Sequence, residues 1–117
     1  MDNNTFQQKF DLACELKKEK EYEKANSIYS ELYEQLIRDG FKNTGKPTES
    51  EKEDEERINN YLKGDNLACT ILNNIAVILA EVGNKEGAKN YFELSIKLTP
   101  DGLDYQNPIK GLKQLEN

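Results

Sequence analysis

Two stretches of this sequence carry the same classes of residue at the same spacing. The first stretch runs over residues 12–32 and the second over residues 75–95. The matching positions are Leu12, Ala13, Leu16, Ala25, Tyr29 and Leu32 in the first stretch and Ile75, Ala76, Leu79, Ala88, Phe92 and Ser95 in the second. Alanines that face each other allow two helices to approach closely, and the ring residue then fills the space above them. The repeat therefore predicts two copies of one helical hairpin.

Helical periodicity extends along most of the chain. Apolar residues recur at i, i+3, i+4 and i+7, and no segment alternates with a period of two, so the fold class is predicted to be all-α. The first helix is expected over roughly residues 4–19. The second is expected to end at Gly40, which would take the left-handed position after the helix, with a loop over residues 40–47. Later helices are expected to end at Gly83 and before Pro100.

Residues 40–68 separate the two copies and are predicted to hold an inserted helical segment. Ser50 and Glu53 form a capping box at its start, and the acidic cluster over residues 49–56 suits the positive end of a helix. Gly64 either breaks this segment or is carried within a helix, and the sequence leaves both alternatives open. At the other end of the chain, Pro108 opens a short C-terminal helix over residues 107–116, which is expected to cap the second unit.

Over residues 6–39 and 69–102 the chain resembles the tetratricopeptide repeat family, whose unit is a helix–turn–helix of about 34 residues. The likeness is stronger in the second unit. Its signature positions hold Leu72, Ile75, Ala76, Leu79, Gly83, Ala88, Phe92, Ser95 and Pro100. In the first unit Lys20 stands where the turn glycine would be. The resemblance implies one domain over residues 1–117, built of TPR-like helical hairpins in an α-α superhelix. The layout, though not the sequence, is similar to that of the large immunophilins, in which helices next to the insertion are extended.

The resemblance also implies a concave groove lined by the first helix of each unit. By repeat position, the groove residues are Gln7, Phe10, Cys14, Lys17 and Lys18 in the first unit and Thr70, Asn73, Asn74, Val77 and Glu81 in the second. The expected function is that of a scaffold or adaptor that binds a peptide or helix of a partner protein, through side-chain amides and apolar contacts. In the plainer interpretation, Phe10 and Val77 only pack on neighbouring helices.

Two other functions fit the same residues. Repeat arrays usually need at least three units, so two chains could complete each other as a homodimer or larger homo-oligomer, through Tyr33, Leu36 and Ile37. A weaker alternative is co-chaperone-like binding of an acidic C-terminal peptide. Asn74 matches the asparagine of the family's two-carboxylate clamp, but Phe10 and Cys14 occupy the clamp's lysine and asparagine positions in the first unit.

Composition argues against several classes of function. There is no histidine, so neither a His-based catalytic triad nor a His-ligated metal site is expected, and the protein is predicted to need no cofactor and to be no enzyme. Acidic residues outnumber basic ones by 22 to 16, which disfavours nucleic acid as a partner. The N-terminus lacks the features of a signal peptide and no apolar run could span a membrane. A cytoplasmic protein is expected, with Cys14 and Cys69 as free thiols.

Overall fold

The computed structural model describes residues 2–116, with the side chains of residues 2–4 and 66 excepted. Over this range the chain forms six α-helices and no strand, which confirms the all-α prediction. The helices are α1 (Asp2–Lys18), α2 (Tyr22–Thr44), α3 (Glu51–Lys63), α4 (Asn66–Glu81), α5 (Lys85–Lys97) and α6 (Asn107–Glu116). None of the described helices is both long enough and apolar enough to cross a lipid bilayer.

The fold consists of two helical hairpins, α1–α2 and α4–α5, joined where α2 packs on α4. Ala13, Ala25 and Ala88 are fully buried, as the close approach of the paired helices requires. The rings of Tyr29 and Phe92 fill the space beside them. The repeated spacing in the sequence thus produces the same local packing twice, and α6 packs on α5 after the second hairpin.

The two hairpin turns have the same backbone geometry although their sequences differ. Lys20 (φ 63°) and Gly83 (φ 88°) stand at equivalent positions, and both lie in the left-handed region. The N–H of Glu21 donates to the carbonyl of Leu16 at 2.8 Å in the first turn, and the N–H of Asn84 donates to the carbonyl of Leu79 at 2.8 Å in the second. Each turn therefore ends its helix with the same left-handed cap, once with glycine and once without.

Helix α2 is longer than the sequence predicts. It continues through Gly40 to Thr44 and ends at Gly45, whose φ is 127°. The prediction that Gly40 ends the helix and begins a loop is wrong. Gly40 is a buried residue where α3 packs on α2, and a Cβ there would lie 3.0 Å from Cδ1 of Ile58 and 3.3 Å from Cδ2 of Tyr61. Close helix packing, rather than a turn, explains this glycine.

The inserted segment forms a separate helix, α3, with clear signals at both ends. The hydroxyl of Ser50 accepts from the N–H of Glu53 at 3.3 Å, which confirms Ser50 as the N-cap. The reciprocal half of the predicted capping box is replaced by another bond, since the N–H of Ser50 donates to the hydroxyl of Thr48 at 3.2 Å. Helix α3 ends at Lys63, so the open question at Gly64 resolves as a break. The side chain of Asp65 then accepts from the N–H of Leu67 at 2.8 Å and starts α4.

Arg57 fixes the loop between α2 and α3. Its guanidinium donates to the carbonyls of Gly45 (2.9 Å) and Lys46 (3.0 Å) and pairs with the carboxylate of Asp54 at 3.2 Å. That carboxylate also accepts from the N–H and the hydroxyl of Thr48, at 2.8 and 2.9 Å. Because one side chain satisfies several backbone and side-chain groups, α3 is held against the end of α2.

Candidate partner-binding groove

Two adjoining depressions lie along α4, where the sequence predicts a groove. One, of about 310 Å³, lies between α1 and α4, and the other, of about 520 Å³, lies between α4 and α6. Both are lined by Lys17, Asn74, Val77 and Glu81, so they form one continuous surface. We call this surface the concave groove. Helix α4 forms its floor, and α1 and α6 form its two walls.

The structure brings together seven of the ten residues predicted for this site. Those that line the concave groove are Cys14, Lys17, Lys18, Asn73, Asn74, Val77 and Glu81. They meet there because α2 holds α1 and α4 side by side, and because residues three or four apart on a helix share a face.

A chain of hydrogen bonds runs beneath the groove between the two hairpins. The hydroxyl of Tyr29 donates to Sγ of Cys14 at 3.1 Å, and Nδ2 of Asn74 donates to the Tyr29 oxygen at 3.2 Å. Burial and the contact with Cys14 raise the pKa of the Tyr29 phenol well above its ordinary value. The amide of Asn74 on α4 therefore bonds to a side chain of the other hairpin. One N–H of that amide group is used in this bond.

Asn73 contributes an acceptor that has no partner within the described residues. Its side chain is 6% exposed, and its Oδ1 makes no hydrogen bond. Asn73 lines the part of the groove between α4 and α6. A buried acceptor without a partner costs free energy, and a rotation of the Asn73 side chain toward the groove would let a donor from outside recover it.

Thr70 lies at one end of the groove, beneath the segment that leads into α6. Burial raises the pKa of Tyr105, and hydrogen bonds with the side chains of Thr70, Asn107 and Asn73 act in the opposite direction. Tyr105 therefore packs against the start of α4 beside the groove, and the described chain itself covers this end.

Gln7 and Phe10 lie away from the groove. Gln7 donates to Asp11 at 2.9 Å and lines a different depression, near the start of α4. The ring of Phe10 meets that of Tyr29 edge-on, with 6.0 Å between the ring centroids. The plainer interpretation of Phe10, as a packing residue, fits this contact. Val77 lines the groove and also packs against the buried cluster around Phe92.

Sequence reasoning missed the wall that α6 contributes. Lys110 and Gln114 lie four residues apart on one face of this helix and line the groove. That spacing was the available signal, but the helix was interpreted only as a cap. With Lys110 included, the charged residues that line the groove are three lysines and Glu81. The groove is therefore basic on a chain whose formal net charge is −6.

The second hairpin and its turn are the part of the chain that matches a known family. Residues 70–101 match the model of the tetratricopeptide repeat family. Over this stretch the chain is similar to one repeat of that family. The repeat spans α4, the turn at Gly83 and α5, which is the stretch where the signature residues were found. Repeats of this family are generally protein–protein interaction modules and are typically non-enzymatic. No curated protein and no solved structure gives a significant match to the chain.

The tetratricopeptide repeat packs on the α1–α2 hairpin through Leu36, which corrects one expectation. Leu36 is 7% exposed and belongs to the core shared by α2 and α4, so it does not lie on an exposed end of the array. Tyr33 and Ile37 line a separate cleft beside α3. Within the described residues, no three Cys, Asp or Glu side chains are grouped as a metal site would require.

Proposed function

We propose that this protein binds an extended, acidic segment of a partner protein in the concave groove. The observation that carries the proposal is the unpartnered, buried Oδ1 of Asn73 in the groove. A peptide N–H is the donor that such an acceptor suits. The backbone N–H groups of a helix interior are already bonded, whereas those of an extended segment are open to donate, so an extended ligand is favoured over a helical one.

The charge of the groove supports the acidic character of the ligand. Lys17 on one wall and Lys110 on the other lie across α4, with Lys18 beside the first. Complementary charge steers association and selects between partners. Between these lysines, Val77 and Ala80 offer apolar contact to a side chain of the ligand.

The ligand is proposed to be an internal segment rather than an acidic C-terminus. A two-carboxylate clamp needs a lysine and an asparagine where this chain has Phe10 and Cys14. The ring of Phe10 is packed on Tyr29, and the thiol of Cys14 accepts the hydroxyl of the same tyrosine. These contacts leave no donor pair at those two positions for a terminal carboxylate.

Fluorescence anisotropy with two labelled decapeptides tests the proposal. Both peptides are blocked at their ends. In each, leucine or glycine alternates with a charged residue, which is glutamate in the acidic peptide and lysine in the basic peptide. We expect the acidic peptide to bind and Lys17→Glu/Lys110→Glu to weaken it about tenfold, because two favourable charge contacts become unfavourable. Lys85→Glu/Lys89→Glu, which makes the same charge change on exposed positions of α5, should leave the affinity unchanged.

Three results would contradict the proposal. The first is absence of binding, and the second is equal affinity for the basic peptide. The third is an equal loss in the α5 control, which would indicate a general charge effect. A version of the acidic peptide with a free C-terminal carboxylate distinguishes groove binding from clamp-like binding. Only clamp-like binding requires the terminal carboxylate, so only in that case should the free peptide bind and the blocked peptide fail to bind.

A second candidate function, self-association, is favoured by the exposed end of the first hairpin. Leu12 is 52% exposed, whereas Ile75, its equivalent in the tetratricopeptide repeat, is 2% exposed because α2 lies over α4. Leu12 and Leu16 line a cleft of about 910 Å³ with Ile28. A helix from a second copy packed there would take the place that α2 has on α4.

Light scattering behind a sizing column, across a tenfold concentration range, tests self-association. A dimer should have about twice the 13.4 kDa mass of the chain, and Leu12→Asp should return it to the monomer mass. Val82→Asp is the matched control, since Val82 is 58% exposed and lies at the far end of α4. A monomer mass at every concentration would rule this candidate out and leave the groove proposal intact.

A further inference from the structure

The inserted helix α3 forms a second cleft, separate from the concave groove. It has a volume of about 460 Å³ and lies between α3, α2 and Leu94 of α5. We call it the insertion cleft. Its apolar lining includes Tyr33, Ile37 and Phe41, which follow one another at four-residue intervals along α2. Pockets of this size commonly hold a small ligand or one or two partner side chains.

The insertion cleft also contains a donor without a partner. Asn59 is 8% exposed and lines the cleft, and its Nδ2 makes no hydrogen bond within the described residues. A buried amide donor beside apolar side chains costs free energy unless it is satisfied. A rotation of the Asn59 side chain toward the cleft would let a carbonyl group of a bound segment satisfy it.

The charge at the rim of the cleft is acidic. Glu51, Asp54 and Glu55 are the charged residues among those that line it. The carboxylate of Asp54 is already bonded to Arg57 and Thr48, whereas Glu51 and Glu55 are exposed to solvent. The two exposed carboxylates therefore complement a cation next to the apolar opening.

From these three observations we infer that the insertion cleft is a docking site for a partner peptide segment that carries a large apolar side chain beside lysine or arginine. The apolar side chain lies against Ile37 and Ile58, the basic group faces Glu51 and Glu55, and a backbone carbonyl accepts from Asn59. This inference goes beyond the proposed function, since it concerns another face of the molecule and a ligand of opposite charge. Loss of binding in the concave groove would leave it unaffected.

An NMR titration tests the inference with two end-blocked decapeptides. One carries leucine and phenylalanine flanked by lysines, and the other carries the same apolar residues flanked by glutamates. We expect the basic peptide to produce saturable shifts in the side-chain amide of Asn59 and in the backbone amides of Ile37 and Leu94. The amides of Asn74 and Val77 report on the concave groove and should not move.

Two sets of variants sharpen the test. Glu51→Lys/Glu55→Lys should weaken the binding of the basic peptide about fivefold. Glu15→Lys/Glu19→Lys, at exposed positions on α1 and in the turn after it, should leave the binding unchanged. Asn59→Leu keeps the branching and the number of heavy atoms of the side chain and removes the donor. It should lower the affinity about fivefold without lowering the urea midpoint of unfolding, because a buried donor without a partner does not stabilise the fold.

Three results overturn the inference. The first is a set of shifts confined to Asn74 and Val77, and the second is equal binding of the acidic peptide. The third is the absence of shifts at about 1 mM peptide, since a dissociation constant of about 1 mM is the weakest affinity of interest. Shifts at Asn59 that grow with protein concentration alone would show that a second copy fills the cleft, and would also overturn it. An Asn59→Leu variant that is destabilised and binds normally would indicate a structural role only.

Discussion

Gly111 of α6 lies so close to the ring of Phe92 that a Cβ at position 111 would overlap the ring. Phe92 is 2% exposed and packs with Ala76 and Ala88 in the core of the second hairpin. The absence of a side chain at Gly111 is therefore what allows α6 to pack on α5. Since α6 also forms one wall of the concave groove, this contact connects the stability of the fold to the shape of the site.

We expect Gly111→Ala to lower the free energy of unfolding by about 1–2 kcal/mol, because the overlap with Phe92 outweighs the better helix propensity of alanine. Urea unfolding followed by circular dichroism measures the change. Gly64→Ala is the control, since Gly64 has φ −81° and a Cβ there would meet only the Tyr61 carbonyl at an ordinary 3.6 Å. An equal loss in both variants would show that the Phe92 contact is not the cause.

Replacing Lys20 by glycine should stabilise the fold. It has φ 63° in the first hairpin turn, where the tetratricopeptide repeat has Gly83 at φ 88°. A side chain in the left-handed region costs about 1 kcal/mol, so we expect Lys20→Gly to raise the free energy of unfolding by roughly 0.5–1 kcal/mol.

The reverse change at the equivalent position is the matched experiment for Lys20. Gly83→Ala should lower the free energy of unfolding by about 1 kcal/mol or more, although no atom would obstruct the new Cβ within 4 Å. Thermal and urea unfolding of Lys20→Gly and Gly83→Ala measure whether each variant gains or loses stability. A gain at both positions, or a loss at both, would refute the assignment of the same cap to the two turns.

Equivalent apolar positions in the two hairpins should differ in their contribution to stability. Ile75→Ala removes a buried side chain under α2 and should cost about 2–5 kcal/mol. Leu12→Ala changes a side chain that is 52% exposed and should cost less than about 1 kcal/mol at low protein concentration. If the cost of Leu12→Ala rises with protein concentration, Leu12 lies in a contact between copies.

The repeated spacing was sufficient to predict the two hairpins, because the buried alanines and rings satisfy a local packing rule. The length of α2 could not be predicted in the same way. Glycine is common at helix ends, and only the position of α3 shows that Gly40 serves a close helix contact instead. The capping signal at Ser50 was reliable because its hydrogen bond is local.

The site was predictable where it depends on one helix face and unpredictable where it depends on long-range packing. Cys14 and Asn74 were found from their repeat positions. Gln7 falls outside the groove because it lies two turns before Cys14 on α1, near the start of α4 instead. The hydroxyl of Tyr29 and the wall containing Lys110 depend on how α1, α4 and α6 meet, which no local spacing specifies.

Tyr33 should make the fold sensitive to alkaline pH. Burial, followed by the negative charge that Tyr91 and Glu55 place nearby, raises the pKa of Tyr33 to about 12. The unfolded chain ionises this phenol near its ordinary pKa of about 10, while the folded chain keeps it neutral. Tyr33 therefore contributes stability that is complete below pH 10 or so and is lost as the pH rises toward about 12.

Tyr33→Phe tests this assignment, since phenylalanine retains the ring and cannot ionise. Between about pH 9 and pH 11.5, the free energy of unfolding in urea should fall less steeply in Tyr33→Phe than in the unmodified protein. Burial also raises the pKa of Tyr29, so part of the fall in the free energy of unfolding remains in Tyr33→Phe. Tyr22→Phe is the matched control, since it removes the phenol of another tyrosine of the same hairpin. Identical slopes for Tyr33→Phe and the unmodified protein would mean that solvent reaches the Tyr33 phenol, and that the insertion cleft is wetter than its apolar lining implies.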